Sequence, residues 1–255
     1  MSDVFRHAWW AFAQVYYDLR ALAIRGNLWW FATVFPLFPI VGIPLSSALQ
    51  QAMVGIDGPV PGIVFFVFIV AGTAVGGALA GPGTAGLFYV AQLHVDGEDI
   101  TTRDFWTGFR RQFVRGWVLF VIDIYLLYGL VVGFVFYTGT GEVFIQALGI
   151  LSIYFIALWV AAQAYLYPLA LRYEMSLYHV FRNAAVLVLS APASSLAFCL
   201  IVVMSLIVSM LLVFPLMVVV AVMLALVSIR MTDERLKDLG YAKNDSGFRH
   251  KQLER

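Results

Sequence analysis

Residues 184–229 contain no charged side chain, and this run constrains the fold more than any other part of the sequence. As a single α-helix it would be about 70 Å long, more than twice the ~30 Å hydrocarbon thickness of a bilayer. It must therefore form two membrane spans, and we place the reversal near Phe214 and Pro215, the only strong helix breaker in its middle. Composition agrees, since 62% of the 255 residues are apolar, against about 45–50% in soluble domains. The sequence predicts an all-α integral membrane protein.

Four further apolar segments precede this run and bring the predicted number of transmembrane helices to six. They cover residues 28–49, 63–92, 115–137 and 143–171. The first is interrupted by Pro36, Pro39 and Pro44 and is expected to be kinked. The predicted organisation is an interfacial amphipathic helix (1–26), a six-span bundle (27–230) and a charged cytoplasmic tail (231–255).

Basic residues are distributed asymmetrically about these spans. All sixteen Lys and Arg residues fall on one side of the six-span arrangement, and the opposite loops carry only Asp57 and Glu142. By the positive-inside rule, both termini are predicted to be cytoplasmic.

The N-terminal segment has an aromatic face and a polar face at helical spacing. The apolar positions are Phe5, Trp9, Phe12, Tyr16, Leu19 and Ala23, and the polar ones are His7, Gln14, Asp18 and Arg25. Such a helix either lies in the membrane interface with its aromatic face in lipid or docks on the cytoplasmic face of the bundle. We expect Gly26 and Asn27 to end it.

The second span is rich in glycine. Two successive small-xxx-small pairs remove side-chain bulk from its faces, which lets neighbouring backbones approach closely. The pairs are Gly72/Gly76 and Gly77/Gly81. The helix is therefore predicted to pack inside the bundle.

A Gly81-Pro82-Gly83 sequence, followed by Thr84, interrupts the same span. Proline removes a backbone donor, and glycine has low helix propensity, so a kink or an unwound turn is expected. Irregular backbone at membrane depth is tolerated only where it is buried in protein or lines a wet cavity. We therefore predict a solute pathway near these four residues.

The connector to the third span begins with an acidic turn. His94 and the acids that follow it resemble a metal site, but a solvated turn that caps the next helix is favoured, and we expect no metal or cofactor. Thr101-x-x-Asp104 is typical of a capping box. The helix after it is predicted to lie at an anionic leaflet, with basic residues Arg103, Arg110, Arg111 and Arg115.

Asp123 is the only acidic residue well inside an apolar segment. A carboxylate there is costly and should face the bundle interior or water. It either couples an ion or proton or accepts a hydrogen bond from a polyol, or it is structural. The structural alternatives are a pair with Arg172, Arg182 or His179, and a protonated acid bonded to a Tyr or Gln. Gln163 is the second predicted polar contact of the pathway.

Three stretches resemble the YesL family of bacterial membrane proteins, a group described as a domain of unknown function. They are GPGTAG-LFYV (81–90), GED (97–99) with DFW (104–106) and FRR (109–111), and YEMS (173–176) with FRNA (181–184). The resemblance implies a small multi-span protein of the bacterial inner membrane, with a role in or beside carbohydrate uptake. It implies no catalytic residues.

Sequence motifs distinguish among enzymes, nucleic-acid-binding proteins and transport proteins. No HExxH, G-x-S-x-G or P-loop pattern is present, so no enzyme is expected. Scattered basic residues without a recognition motif do not predict nucleic-acid binding. We expect a transport-related protein, either carrier-like or an accessory subunit beside sugar-transporter subunits. The alternative is a non-transporting homo-oligomeric scaffold or a simple pore. A homo-oligomer is expected in either case.

Overall fold

The computed structural model describes residues 2–37, 59–139, 142–173, 175–211 and 219–239. Within these ranges the chain forms nine α-helices and two π-helical segments, and no described residue lies in a β-strand. The α-helices are α1 Ser2–Tyr17, α2 Trp29–Val34, α3 Pro59–Val95, α4 Thr102–Arg111, α5 Phe113–Gly139, α6 Val143–Tyr167, α7 Leu177–Ser190, α8 Pro192–Leu211 and α9 Ala221–Asp238. The π-helical segments are Leu19–Leu28, between α1 and α2, and Pro168–Arg172, after α6.

Four helical stretches in the described ranges are long and apolar enough to cross a membrane. They are Val70–Val95, Phe113–Gly139, Phe144–Arg172 and Pro192–Ser209. The all-α fold class and the presence of several membrane-length helices are therefore confirmed. The first and sixth predicted spans fall partly on residues 38–58 and 212–218, which lie outside the described residues, so the count of six stays a prediction.

Three of the four glycines in the predicted pairs of α3, namely Gly76, Gly77 and Gly81, lie against neighbouring residues. Gly72 and Gly76 are both buried, and a Cβ atom on Gly76 would overlap the side chain of Leu37. A Cβ atom on Gly77 would lie 3.1 Å from the ring of Phe120 on α5. Small residues on two faces of α3 thus let Leu37, which follows α2, and Phe120 of α5 pack against it.

The closest backbone approach in this region joins α3 to α5. A Cβ atom on Gly81 would lie 2.5 Å from the carbonyl oxygen of Gly116, and one on Gly116 would lie 2.9 Å from the carbonyl oxygen of Gly81. Both residues are buried. Only glycine at each position permits this crossing distance.

The expected interruption of α3 at 81–83 is wrong, because the helix continues without a break from Pro59 to Val95. Proline and glycine are tolerated inside a membrane helix when its neighbours hold it on several sides. Here α2, α4 and α5 all pack against α3. Its actual end is the turn at Gly97, whose φ of 73° places it in the left-handed region. Glu98 donates its backbone N–H to Leu93 and closes a Schellman turn.

Two other expected helix boundaries differ in the structure. Gly26 and Asn27 do not end the N-terminal helix, because the π-helical segment passes through them into α2. Asn27 is fully buried, and its Oδ1 accepts a hydrogen bond of 2.8 Å from the backbone N–H of Val222 in the first turn of α9. Helical structure in the uncharged run breaks at Ala191, so the predicted fifth span begins at Pro192 rather than at residue 184. Proline lacks an N–H and is favoured at the first position of a helix.

Helix α1 docks on the bundle and also exposes an aromatic face. Its main neighbour is α9, and the side chains of Val4, Ala11 and Val15 are fully or nearly buried. Trp9 and Tyr16 on the other face are 72% and 73% exposed. The two alternatives considered for this segment are therefore compatible, since the polar side faces the protein and the aromatic side faces outward.

Candidate functional site

Asp123 lies on α5 opposite two polar side chains of α6. The indole Nε1 of Trp159 donates to its Oδ1 over 2.9 Å, and the amide Nε2 of Gln163 donates to the same oxygen over 2.5 Å. Trp159 and Gln163 are four residues apart, which places them on one face of the helix. The structure thus brings together the two polar residues predicted for the membrane interior.

The same site is tied to α7 through Trp159. Its ring stacks on Phe181 at a centroid distance of 5.9 Å and an interplanar angle of 20°. Sequence reasoning missed Trp159, and the signal that could have found it is the i,i+4 spacing to Gln163 on a helix opposite a buried acid. Both hydrogen bonds go to Oδ1, so Oδ2 receives no donor from the described residues.

The predicted ionic partners of Asp123 are engaged elsewhere or exposed. Arg172 pairs with Asp96 and Asp233, His179 contacts Ser176 over 2.7 Å, and Arg182 is exposed. Of the structural alternatives, the structure matches the hydrogen bond to a glutamine. A single site can therefore offer a carboxylate oxygen, an amide and an aromatic ring inside a membrane-length hairpin.

The residues predicted for the pathway, 81–84, contact neighbouring helices. Gly81 lies against Gly116, and Gly83 lies against Thr33 of α2. Pro82 is buried between them. The hydroxyl of Thr84 donates to the carbonyl of Ala80 over 2.9 Å and accepts a 3.1 Å hydrogen bond from Trp30 Nε1. These contacts favour a packing role for the segment, and its role in a pathway stays a prediction.

A second polar cluster joins the ends of three helices at the basic end of the bundle. Arg172 Nη2 lies 3.3 Å from Asp96 after α3 and 3.3 Å from Asp233 on α9. Tyr173 donates its hydroxyl proton to the second oxygen of Asp233 over 3.0 Å. Burial raises the pKa of Asp233 against the opposing effect of Arg172. Burial and then Asp233 raise the pKa of Tyr173.

Two histidines attach α1 to this same end. His7 Nε2 lies 2.7 Å from Glu234 of α9, and His94 Nε2 lies 2.9 Å from Gln14 Oε1. Asp18 is 3.9 Å from the other ring nitrogen of His94. Of the residues considered as a metal site, His94 and Asp96 thus contact other groups. No group of three potential metal ligands occurs among the described residues.

The predicted capping box before α4 is confirmed. Asp104 Oδ2 accepts hydrogen bonds from the backbone N–H of Thr101 at 2.6 Å and from its hydroxyl at 2.8 Å. The basic residues of this helix, Arg103, Arg110 and Arg111, are exposed. Arg115, at the start of α5, donates instead to the backbone carbonyl of Met175.

In the comparisons with known proteins, one family model matches part of the chain. Residues 62–138 match the model of a family described as a protein of unknown function, DUF624. The matched region spans α3 to α5 and includes both the Gly81–Gly116 crossing and Asp123. Neither the curated proteins nor the solved structures contain a match to the chain.

Proposed function

We propose that this chain is a transport-related protein of the bacterial inner membrane, YesL-like and without enzymatic activity, whose polar site is Asp123 with Trp159 and Gln163. The observation that carries the proposal is the convergence of these three side chains between two membrane-length helices. A charged side chain at that depth is costly. Two hydrogen bonds to one oxygen orient the carboxylate and leave the second oxygen for a ligand proton.

The chemistry of the site suits a hydroxyl-rich solute. A carboxylate accepts hydrogen bonds from hydroxyl groups, an amide both donates and accepts, and an indole ring offers an apolar face. Neutral sugars combine hydroxyl groups with apolar C–H faces. The resemblance to the YesL family points toward the same class, and an accessory role beside sugar-transporter subunits is included in the proposal.

The close contact of Gly81 with Gly116 favours the accessory subunit over a complete carrier. A pathway along that crossing would need the two backbones to separate. The proposed arrangement has both termini in the cytoplasm, as the distribution of basic residues predicts.

The test is substitution of Asp123 by Asn in protein reconstituted into liposomes. Uptake of a panel of radiolabelled neutral mono- and disaccharides is measured beside the melting temperature, with and without co-purified subunits. Gln146→Ala removes an amide from the other end of α6 and serves as the matched control. Loss of uptake with an unchanged melting temperature in Asp123→Asn alone supports the proposal.

The second candidate function is a homo-oligomeric scaffold or simple pore. It is favoured by Gly129 and Gly133 of α5, which are four residues apart. Within the described part of the chain, a Cβ atom at either position would have no atom of another helix within 4 Å. Native mass spectrometry separates the candidates. A bare homo-oligomer, together with an Asp123→Asn variant that only lowers the melting temperature, argues against transport.

A further inference from the structure

Polar side chains from three helices meet at the first turn of α8, at some distance in sequence from Asp123. Arg235 of α9 donates its Nη2 to the hydroxyl of Ser194 over 2.5 Å. Its Nη1 lies 3.2 Å from Asp238, whose side chain is 65% exposed. Tyr165 of α6 lies beside Ser195 and Arg235. The cluster therefore contains the guanidinium group of Arg235 and the hydroxyl groups of Tyr165, Ser194 and Ser195.

The hydroxyl of Tyr165 has no satisfactory hydrogen bond. The residue is 0% exposed, and its oxygen has no partner of acceptable geometry among the described residues. The nearby hydroxyl of Ser195 already donates to the carbonyl of Val188 over 3.3 Å. A buried polar group without a partner costs about 1–3 kcal/mol. A ligand that supplies an acceptor would remove this cost.

The backbone supplies further donors at the same place. The first backbone hydrogen bond of α8 runs from the N–H of Ser195 to the carbonyl of Ala191 over 3.1 Å, so the N–H groups of Ala193 and Ser194 precede it. Ala191 has no side-chain group that could cap them. The positive end of the dipole of a 20-residue helix adds to the attraction for an anion.

We propose that this cluster, made of Tyr165, Ser194, Ser195 and Arg235 with the first turn of α8, binds a phosphate group. Phosphate oxygens can accept from the guanidinium, the hydroxyl groups of Tyr165 and Ser194, and the backbone N–H groups together. The site lies where a membrane-length helix begins. Exposed apolar side chains flank it on α7 and α8, namely Val186, Leu189, Leu196 and Leu200. The headgroup phosphate of an anionic phospholipid fits this position, and free phosphate shares the same chemistry.

The experiment measures binding of phosphatidylglycerol by native mass spectrometry of the full chain in detergent, and of inorganic phosphate as a second probe. Tyr165→Phe and Ser194→Ala each remove one hydroxyl, and Arg235→Gln removes the charge. Lys237→Gln is the matched control, because it removes the same charge from an exposed position of α9. We expect each cluster variant to bind roughly tenfold more weakly, as for the loss of a hydrogen bond to a charged group, and the control to bind like the wild type.

Tyr165→Phe keeps the test independent of folding. Removing a buried hydroxyl that has no protein partner should leave the melting temperature unchanged or raise it, whereas it should still weaken phosphate binding. If the cluster variants weaken binding of phosphatidylglycerol and inorganic phosphate does not bind, the site is a lipid site. If they weaken binding of inorganic phosphate, the site takes soluble phosphates. The proposal is overturned if neither probe binds, or if the cluster variants bind as tightly as Lys237→Gln.

Discussion

Replacing Gly81 by alanine tests the crossing on which the arrangement of α3 and α5 depends. The new Cβ atom would lie 2.5 Å from the carbonyl oxygen of Gly116 and 2.8 Å from the Cα atom of Trp117. Both neighbours are backbone atoms, so the helices must move apart. Overpacking of a tight core costs typically about 1–3 kcal/mol, and the upper end applies to a backbone clash. The higher helix propensity of alanine offsets about 1 kcal/mol, which leaves a net loss of about 2 kcal/mol.

Two glycines of α5 provide comparison variants for this prediction. A Cβ atom on Gly116 would lie 2.9 Å from the carbonyl oxygen of Gly81, and one on Gly129 would meet no atom of the described residues within 4 Å. The expected order of stability is therefore Gly129→Ala highest, at or above the wild type, then Gly116→Ala, then Gly81→Ala. Thermal unfolding in one detergent, followed by circular dichroism, measures the order. A neutral Gly81→Ala, or a Gly129→Ala as damaging as it, would refute the close-contact reasoning.

The remaining predictions concern the basic end of the bundle. Arg172→Met removes the cation that lies 3.3 Å from both Asp96 and Asp233, two mostly buried acids, and should cost about 3 kcal/mol in the free energy of unfolding, measured by denaturant titration. Burial raises the pKa of Asp233 above its ordinary value of 3.8, so the folded state binds this proton more readily than the unfolded chain. The stability of wild type relative to Asp233→Asn should thus be greatest below pH 3.8 and fall as pH rises through the raised pKa; a difference that grows with pH would contradict this. Asp104→Ala removes the cap at Thr101 and should cost about 1 kcal/mol, with Asp99→Ala in the exposed turn as the neutral comparison.

Sequence patterns predicted the elements whose determinants are local. The capping box is a four-residue pattern, and its hydrogen bonds form as expected between Thr101 and Asp104. The membrane-length helices follow from uninterrupted apolar runs, and their ends at 113–139 and 143–172 lie close to the predicted ones. In each case the signal and the structure occupy the same stretch of chain.

Sequence patterns gave wrong predictions where contacts with a neighbouring helix determine the local structure. Pro82 was expected to break α3, but packing on several sides holds the helix intact. Gly26 and Asn27 are typical of a helix end. In the structure, however, Asn27 is buried against the start of α9, 195 residues away in sequence. The i,i+4 spacing to Gln163 marks Trp159 as a candidate, but its pairing with Asp123 also depends on the register of α6 against α5, which is a tertiary property.

The glycine crossing and the polar site are linked through α5. Gly116 fixes the approach of that helix to α3, and Asp123 lies two helical turns further along, about 10 Å. A shift of α5 at the crossing would therefore move the Asp123 carboxylate relative to Trp159 and Gln163, whose hydrogen bonds tolerate displacements of only a few tenths of an ångström. The contact between Gly81 and Gly116 therefore also determines where α5 places Asp123 relative to Trp159 and Gln163. It follows that Gly116→Ala should weaken any solute binding at Asp123 although its own atoms lie outside that site.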